Sequence, residues 1–281
     1  MLVSVVTPVL NDIRFLEESI LNVLEQSHQN VEHIFIDGGS SDGTVEMLSN
    51  YHTKYPDRIV FISEPDNGVG DALNKGLKLA KGELIGWQDS DDLYMPGAIK
   101  TAVTFFQAVP DTYYLFGGCN IIDESGKTIG SLPINNYNFL RVVQGKDYFS
   151  LTTAFFKKEV VQAVGYFNDV GNDLDYWIRI ALKFKMHRVD KTLCAWRIHN
   201  QSVGFSKNSR SVNMISEKLR QDYLLCRKYG GRGSSFAPRC WKYRLYRVLN
   251  IIGLFQFMNV TIRLKLRRYR AISSMLRLIS V

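Results

Sequence analysis

Four short apolar runs, each ending in a polar cluster and separated from the next by a helix-period segment, constrain this chain more than any other feature. Val3–Thr7 is a β-branched run, and Asn11–Gln26 then places Ile13, Leu16, Ile20 and Val23/Leu24 on one helical face. Val31–Ile36 reads as a second strand that runs into Asp37-Gly38-Gly39-Ser40-Ser41-Asp42-Gly43, and a helix is expected from about Thr44, with Ser41 or Asp42 as its cap. Arg58–Ser63 and Glu83–Gln88 are the third and fourth strands, with a helix over Gly70–Leu79 between them. Strand–helix alternation with short polar turns predicts an α/β fold: a Rossmann-like, mostly parallel sheet flanked by helices on both faces. Ligands of such sheets bind beyond the carboxyl ends of the strands. Thr7-Pro8, Asp37-Gly38-Gly39, Glu64–Asn67 and Asp89–Asp92 all sit there, so four polar clusters converge on one rim.

The 281 residues suffice for one large α/β domain with an extension. Cys119, Cys194, Cys226 and Cys240 have no CxxC spacing, which speaks against a disulfide scaffold or a zinc site and for a reducing compartment. The N-terminus lacks a basic region ahead of its apolar run and is expected to be a buried strand, not a signal peptide. From Tyr113 the pattern is less regular, with short strands at Tyr113–Cys119 and Thr128–Gly130 and helices near Lys157–Val164 and Asp175–Phe184. Lys207–Tyr229 reads as a long helix, followed by a Gly/Ser linker at 230–235.

Asp89-Ser90-Asp91-Asp92 places three carboxylates within four residues. In extended backbone Asp89 and Asp91 would point the same way and repel one another. A hard divalent cation relieves that repulsion, and Mg²⁺ or Mn²⁺ typically takes one or two protein carboxylates together with phosphate oxygens. The competing reading is a solvated turn that caps the helix near Pro96-Gly97. Asp37–Thr44 likewise reads either as a tight turn with a helix cap or as a nucleotide cradle in which Asp37 accepts from base or ribose. Neither a GxGxxG fingerprint nor a GxxxxGK[ST] phosphate loop occurs.

Taken in order, SVVTPVLND, EHIFIDGGSSDGTVE, ISEPDNGVGDALNKGLKLAKGELIGWQDSDD, GNDLDYWIRIA and RIHNQSVGFS resemble the family 2 inverting glycosyltransferases of GT-A fold, over residues 2 to about 206. The resemblance implies that Thr7, Pro8 and Asp37 contact the base and ribose of a nucleotide. It places Asp66, Asn67, Asp71 and Asn74 along the donor pocket. Asp89 and Asp91 match the two acids of the family's DxD motif, with Asp91 the preferred metal ligand and Asp92 the fallback. Asp173 matches the general base, although Asn172 stands where the family usually has Glu. Arg197 would hold a phosphate oxygen, and neutral His199 would complete the metal shell. Asp175 and Arg179 are expected to pair along one helix, and Trp177 to serve as core or acceptor platform.

The implied activity is metal-dependent (Mn²⁺ or Mg²⁺), inverting transfer of a hexosyl or N-acetylhexosaminyl group. The donor is a nucleoside diphosphate sugar, with uridine favoured, and the acceptor a glycan or lipid-linked saccharide, in surface polysaccharide biosynthesis. A nucleotidyltransferase would need a Gly-rich basic loop where Pro8–Asp12 stands, and a catalytically silent sugar-nucleotide-binding or scaffold protein is the remaining alternative.

The resemblance implies a domain at 1–206, which leaves a helical, basic and aromatic extension at 207–281. The net charge of +8 reflects 35 Lys and Arg against 27 Asp and Glu. Thirteen of the basic residues follow Asp222, after which no acid occurs, so the first 222 residues carry 22 basic and 27 acidic groups, a net of −5. The fifteen uncharged residues between Arg247 and Arg263 would span about 22 Å as a helix, short of the ~30 Å hydrocarbon core. Flanked by Trp241, Lys242, Tyr243, Arg244, Arg263, Lys265, Arg267 and Arg268, they have the composition of an interfacial helix pair on an anionic membrane. A cytoplasmic, peripheral location at the inner membrane face follows as an expectation, and no nucleic-acid partner is expected.

Overall fold

A computed structural model of the chain describes residues 1–132, 151–168 and 173–200. The boundary near residue 206, the helix expected over Lys207–Tyr229, the extension at 207–281 and Asn172 lie outside the described residues. The first half follows the expected alternation: β1 (Val3–Val9), α1 (Ile13–Leu24), β2 (Val31–Asp37), α2 (Thr44–Lys54), β3 (Ile59–Ser63), α3 (Val69–Leu79) and β4 (Leu84–Trp87). After it come β5 (Leu93–Tyr94), α4 (Ala98–Ala108), β6 (Tyr114–Ile122), β7 (Thr128–Leu132), a 3-10 turn at Leu151–Thr153, β8 (Phe155–Lys157), α5 (Lys158–Val164), α6 (Asp173–Lys183) and β9 (Met186–Arg197).

One sheet runs in the order β3-β2-β1-β4-β8-β6-β9-β5, with β7 added to β6. Strands β3, β2, β1 and β4 are parallel, so their carboxyl ends open on one rim. Past β4 the sheet becomes mixed: β8 is antiparallel to both β4 and β6, and β9 runs parallel to β6 and antiparallel to β5. Strand β9 brings Arg197 and His199, more than 100 residues distant in sequence, back to the end of β4.

Side-chain alternation along β1 and β2 decides which helices cover which face. Val6, Ile34 and Ile36 pack with Ala72, Leu73 and Leu77 of α3 and with Tyr176, Trp177 and Ile180 of α6. On the opposite face Val9 and Phe35 meet Leu16 and Ile20 of α1 and Leu48 of α2, while Val3 and Val5 meet Ala98, Ile99 and Ala102 of α4. Helix α3 lies close on the sheet because residue 76 is glycine: a Cβ there would stand 2.3 Å from Val6 Cγ1. Gly76→Ala should therefore lower stability by about 1–3 kcal/mol despite its better helix propensity. A urea midpoint equal to or above that of the wild type would contradict this packing account.

Thr7 and His33 share the α1 face of the sheet, fully buried, with Thr7 Oγ1 2.9 Å from His33 Nε2. Burial, and then the charge of Arg58, push the His33 imidazole down to about 3. The unfolded chain, with an ordinary histidine near 6.5, takes up a proton first as pH falls. The stability His33 contributes as a neutral ring is thus complete above about pH 6.5 and drains away towards pH 3, a loss on the order of a few kcal/mol. His33→Leu should flatten the fall in urea midpoint between pH 6.5 and 4, and an unchanged slope would contradict the assignment.

Candidate active site

The rim is built from four strand exits, and its loops are tied together by side chains capping backbone amides. At the end of β2, Asp37 Oδ2 accepts from the amides of Gly39 and Ser40 (both 3.0 Å) and from Ser63 Oγ (2.7 Å) at the end of β3. Its Oδ1 is buried with no hydrogen-bond partner among the described residues. Asn11, with φ +50, accepts from the Ser41 amide through Oδ1 (2.8 Å), and its own amide donates to Ser40 Oγ (2.7 Å). Asp42 accepts from the amides of Ile13 (3.0 Å) and Thr44 (3.1 Å), so one carboxylate serves the first turns of both α1 and α2. The capping expected of Asp42 is present, although Gly43 occupies the cap position itself.

The next exit, between β3 and α3, holds Asp66, Asn67 and Asp71. Asp66 Oδ1 accepts from the Gly68 amide (2.7 Å), and Asp71 Oδ2 accepts from the Asn67 amide (3.1 Å). Gly38 lets Asp66 approach β2, since a Cβ at residue 38 would lie 2.7 Å from Asp66 Oδ2. Asn74 departs from the donor-pocket expectation. Its amide donates to Phe167 O (3.0 Å) and accepts from Phe167 N (2.9 Å), clamping the segment ahead of α6.

At the end of β4, Asp89–Asp92 is a turn closed by Asp92 N donating to Asp89 O (3.1 Å), so the period-two argument for extended backbone does not apply. Each acid has a separate environment. Asp89 Oδ1 accepts from Trp87 Nε1 (2.7 Å). Asp91 Oδ2 lies 2.8 Å from His199 Nε2, and the His199 ring packs 4.8 Å from Phe15. Asp92 is fully buried and accepts from the Arg197 amide (2.9 Å) and Thr152 Oγ1 (2.8 Å). Burial, reinforced by the charges of Asp91 and Asp89, pushes its carboxyl well above the usual range. Asp92 is therefore a structural acid and not the fallback ligand.

Arg197 also corrects the sequence reading. It is 1% exposed, and its guanidinium is engaged inside the protein. Nε donates to Asp91 O (2.8 Å), Nη1 to Asp123 O and Glu124 O (both 3.3 Å), and Nη2 to Glu18 Oε2 (2.6 Å), with the cation 4.7 Å from the Phe15 ring centroid. A phosphate oxygen would have to displace these partners. Thr7, likewise, turns its hydroxyl to His33 on the α1 face of the sheet and is fully buried, while the neighbouring Pro8 is half-exposed.

Helix α6 starts at Asp173, two residues ahead of the helix expected near Asp175–Phe184, and Arg179 Nε pairs with Asp175 Oδ2 at 2.7 Å as expected. Trp177 is buried and edge-on to Tyr114, which makes it core and not platform. Two participants escaped the sequence reading. Asp12 Oδ2 accepts from Ser90 Oγ at 2.6 Å, and burial, reinforced by Asp91 against the Ser90 hydrogen bond, raises its carboxyl to about 6. Trp87 enters the sequence reading only as one residue of the strand expected over Glu83–Gln88. Nothing in the spacing marks either one, because both contacts depend on how the turn closes.

The donor set suits a hard divalent cation. Asp91 and His199 supply a carboxylate and an imidazole at hydrogen-bond distance, Asp89 stands in the same turn, and Asp12 adds further negative charge. Among the described residues no group of three or more potential ligating side chains is assembled. Mg²⁺-like ions bound through one or two protein groups plus phosphate and water need no more. No helix among the described residues is long and apolar enough to cross a membrane.

The profile described as glycosyl transferase family 2 matches residues 4–165, from β1 to the end of α5. An uncharacterized glycosyltransferase of Rickettsia felis is 28% identical over 228 residues, 76% of this chain but 37% of the relative's length. One from Methanocaldococcus jannaschii is 25% identical over 277 residues, covering 94% of this chain and 92% of the relative. The S. aureus TarS 1–349 structure in complex with UDP-GlcNAc shares the fold at TM-score 0.63 and 16% identity, over 88% of this chain and 72% of that one. The mannosyltransferase PcManGT from Pyrobaculum calidifontis, in complex with GDP-Man and Mn²⁺, does so at TM-score 0.60 and 22% identity, over 90% and 71%. The expected GT-A architecture is thus shared with solved glycosyltransferases, and since the family profile takes in the whole parallel half of the sheet and the acidic turn at its mouth, the chain belongs to glycosyl transferase family 2.

Proposed function

We propose that this protein is a metal-dependent, inverting glycosyltransferase that moves a sugar from a uridine diphosphate donor to a hydroxyl of a glycan or lipid-linked acceptor. The observation that carries the reading is the contact between Asp91 and His199, bridging 108 residues at the mouth of β4. A diphosphate brought to this turn meets carboxylates, while the guanidinium of Arg197 is already engaged. Mn²⁺ or Mg²⁺, when bound, would supply the positive charge that offsets the departing diphosphate. Asp91 and His199 would hold the ion, with Asp89 beside them. Asp37 would receive the base. Oδ2 already accepts from three donors, so Oδ1, buried and without a partner among the described residues, is the oxygen left to accept a new one once the loop around it gives way. A single imide N–H, as in uracil, matches one oxygen, whereas guanine would present two adjacent donors.

Asp173 would take the proton of the acceptor hydroxyl as it attacks opposite the leaving diphosphate, inverting the anomeric centre. Transfer of a hexosyl or N-acetylhexosaminyl group and a place in surface polysaccharide synthesis belong to the same proposal, as does contact of the 207–281 extension with an anionic membrane at the cytoplasmic face.

The test is thermal stabilisation by UDP and GDP, each with Mn²⁺ and again in chelator. UDP with Mn²⁺ at 100 times its Kd should add about 2.7 kcal/mol, and the gain should vanish in chelator. A larger shift with GDP would overturn the base assignment, and no shift with any nucleotide would favour the silent scaffold.

A further inference from the structure

We infer that Trp87 is a positioning residue for the metal-binding turn: its indole N–H fixes the Asp89 carboxylate, and its ring ties that turn to the helix that starts at Asp173. The inference rests on the reading of Asp89–Asp91 as a metal and donor site. Its own basis is a chain of contacts that no motif requires. Trp87 is the last residue of β4, and its Nε1 donates to Asp89 Oδ1 at 2.7 Å. The ring cannot swing freely. It is buried in the cluster between the sheet and α3/α6 and meets Phe167 edge-on at 5.7 Å, while the backbone carbonyl of Trp87 accepts from Tyr94 Oη (3.0 Å).

Phe167 is held in turn. Its backbone is clamped on both polar atoms by the Asn74 amide, and its ring stacks on Tyr176 of α6 at 4.1 Å. Arg179 of α6 donates to Val164 O (2.5 Å) and Tyr166 O (2.8 Å), fixing the segment that carries Phe167. The path from Asp89 therefore runs through Trp87 and half-buried Phe167, in the connection between α5 and α6, to Tyr176, three residues after Asp173. Aromatic groups in edge-on and stacked contact hold their relative orientation by packing, and a buried indole N–H usually finds an acceptor. Here the acceptor is an acid of the cleft, so the packing of the core sets the direction of that carboxylate. Hydrogen bonds to ligating groups from the surrounding shell orient them, and their loss typically lowers metal affinity roughly 10- to 100-fold.

Trp87→Phe tests this role most directly, because it keeps an aromatic ring against Phe167 while removing the N–H with the rest of the five-membered ring, and the retained circular dichroism checks that the core tolerates the smaller side chain. Mn²⁺ affinity of the full chain would be read by the electron paramagnetic resonance of free Mn²⁺, without nucleotide, for wild type, Trp87→Phe and Asp91→Ala. The expected result is a Kd raised roughly 10- to 100-fold in Trp87→Phe, with the circular dichroism of the wild type retained. A Kd equal to wild type in Trp87→Phe, while Asp91→Ala loses the ion, overturns the role of Trp87 and leaves the metal site standing. Equal binding by wild type and Asp91→Ala removes the metal site and this inference together. Should Trp87→Phe fail to fold, the indole ¹⁵N–H resonance of Trp87 in the wild type decides: it should move on adding Mg²⁺, and a stationary resonance in a protein that binds the ion overturns the inference.

Discussion

Asp173→Asn should lower sugar transfer by roughly 100- to 10,000-fold, the range removed with a general base, while donor affinity stays close to that of the wild type. Asparagine keeps the size of the side chain and a polar group at the start of α6, so the helix itself should be little disturbed. What disappears is the capacity to take a proton from the acceptor hydroxyl. The helix is also firmly seated: Tyr176, Trp177 and Ile180 are buried against the sheet, and Asp175 pairs with Arg179. Donor Kd by thermal shift and kcat by release of the nucleoside diphosphate separate the two effects. A variant with unimpaired kcat would place the base elsewhere, whereas equal losses of donor binding and rate would make Asp173 a donor ligand. The substitution also bears on Asn172, which stands in place of the family's usual acid. If Asp173 alone carries the proton, an acid at 172 is dispensable for chemistry.

How much could be read from the residues depended on how local the determining contacts are. Strands β1–β4 and helices α1–α3 declared themselves because each buries a face whose period is written in consecutive residues. Strand β9 did not. MHRVDKTLCAWR carries several charges, is buried mainly at its ends, and gains its identity by pairing with β6 some 70 residues earlier. Strands β5 and β8, at two and three residues, are too short for any period. The site divides in the same way. Three clustered acids announced a cation site, but composition could not say which of them would face the cleft. The Asp89–Asp92 turn and the return of β9 decide that, placing Asp92 under Arg197 N and Thr152 and leaving Asp91 to His199. The resemblance assigns Asn74 and Arg197 to the donor because both stand in matching segments. Their side chains instead hold Phe167 and the acidic turn, work that only the folded chain reveals.

Arg197→Met should lower stability by about 1–3 kcal/mol, as expected when a buried donor is removed and its acceptors are left without a partner. Methionine fills much of the volume against Phe15 but leaves the carbonyls of Asp91, Asp123 and Glu124 without their donor. These partly buried carbonyls, left without their donor, carry most of the loss. Glu18 carries little, because its side chain is 53% exposed and can turn to water. Glu18→Gln should accordingly change stability by less than about 1 kcal/mol. Arg197→Lys is the deciding comparison. An ammonium keeps the charge but cannot reach acceptors spread over the turn, the β6–β7 connection and α1, so stability should still fall measurably. If Arg197 were chiefly a phosphate ligand, lysine would keep the stability of the wild type and weaken only donor binding. Urea unfolding of the three variants, set beside their UDP affinity in Mn²⁺, separates the two roles. Loss of stability in both Arg197 variants, with Mn²⁺ affinity falling in parallel, would show that the acidic turn is held in place from beneath by a buried cation. Intact stability with lost donor binding would return Arg197 to the cleft.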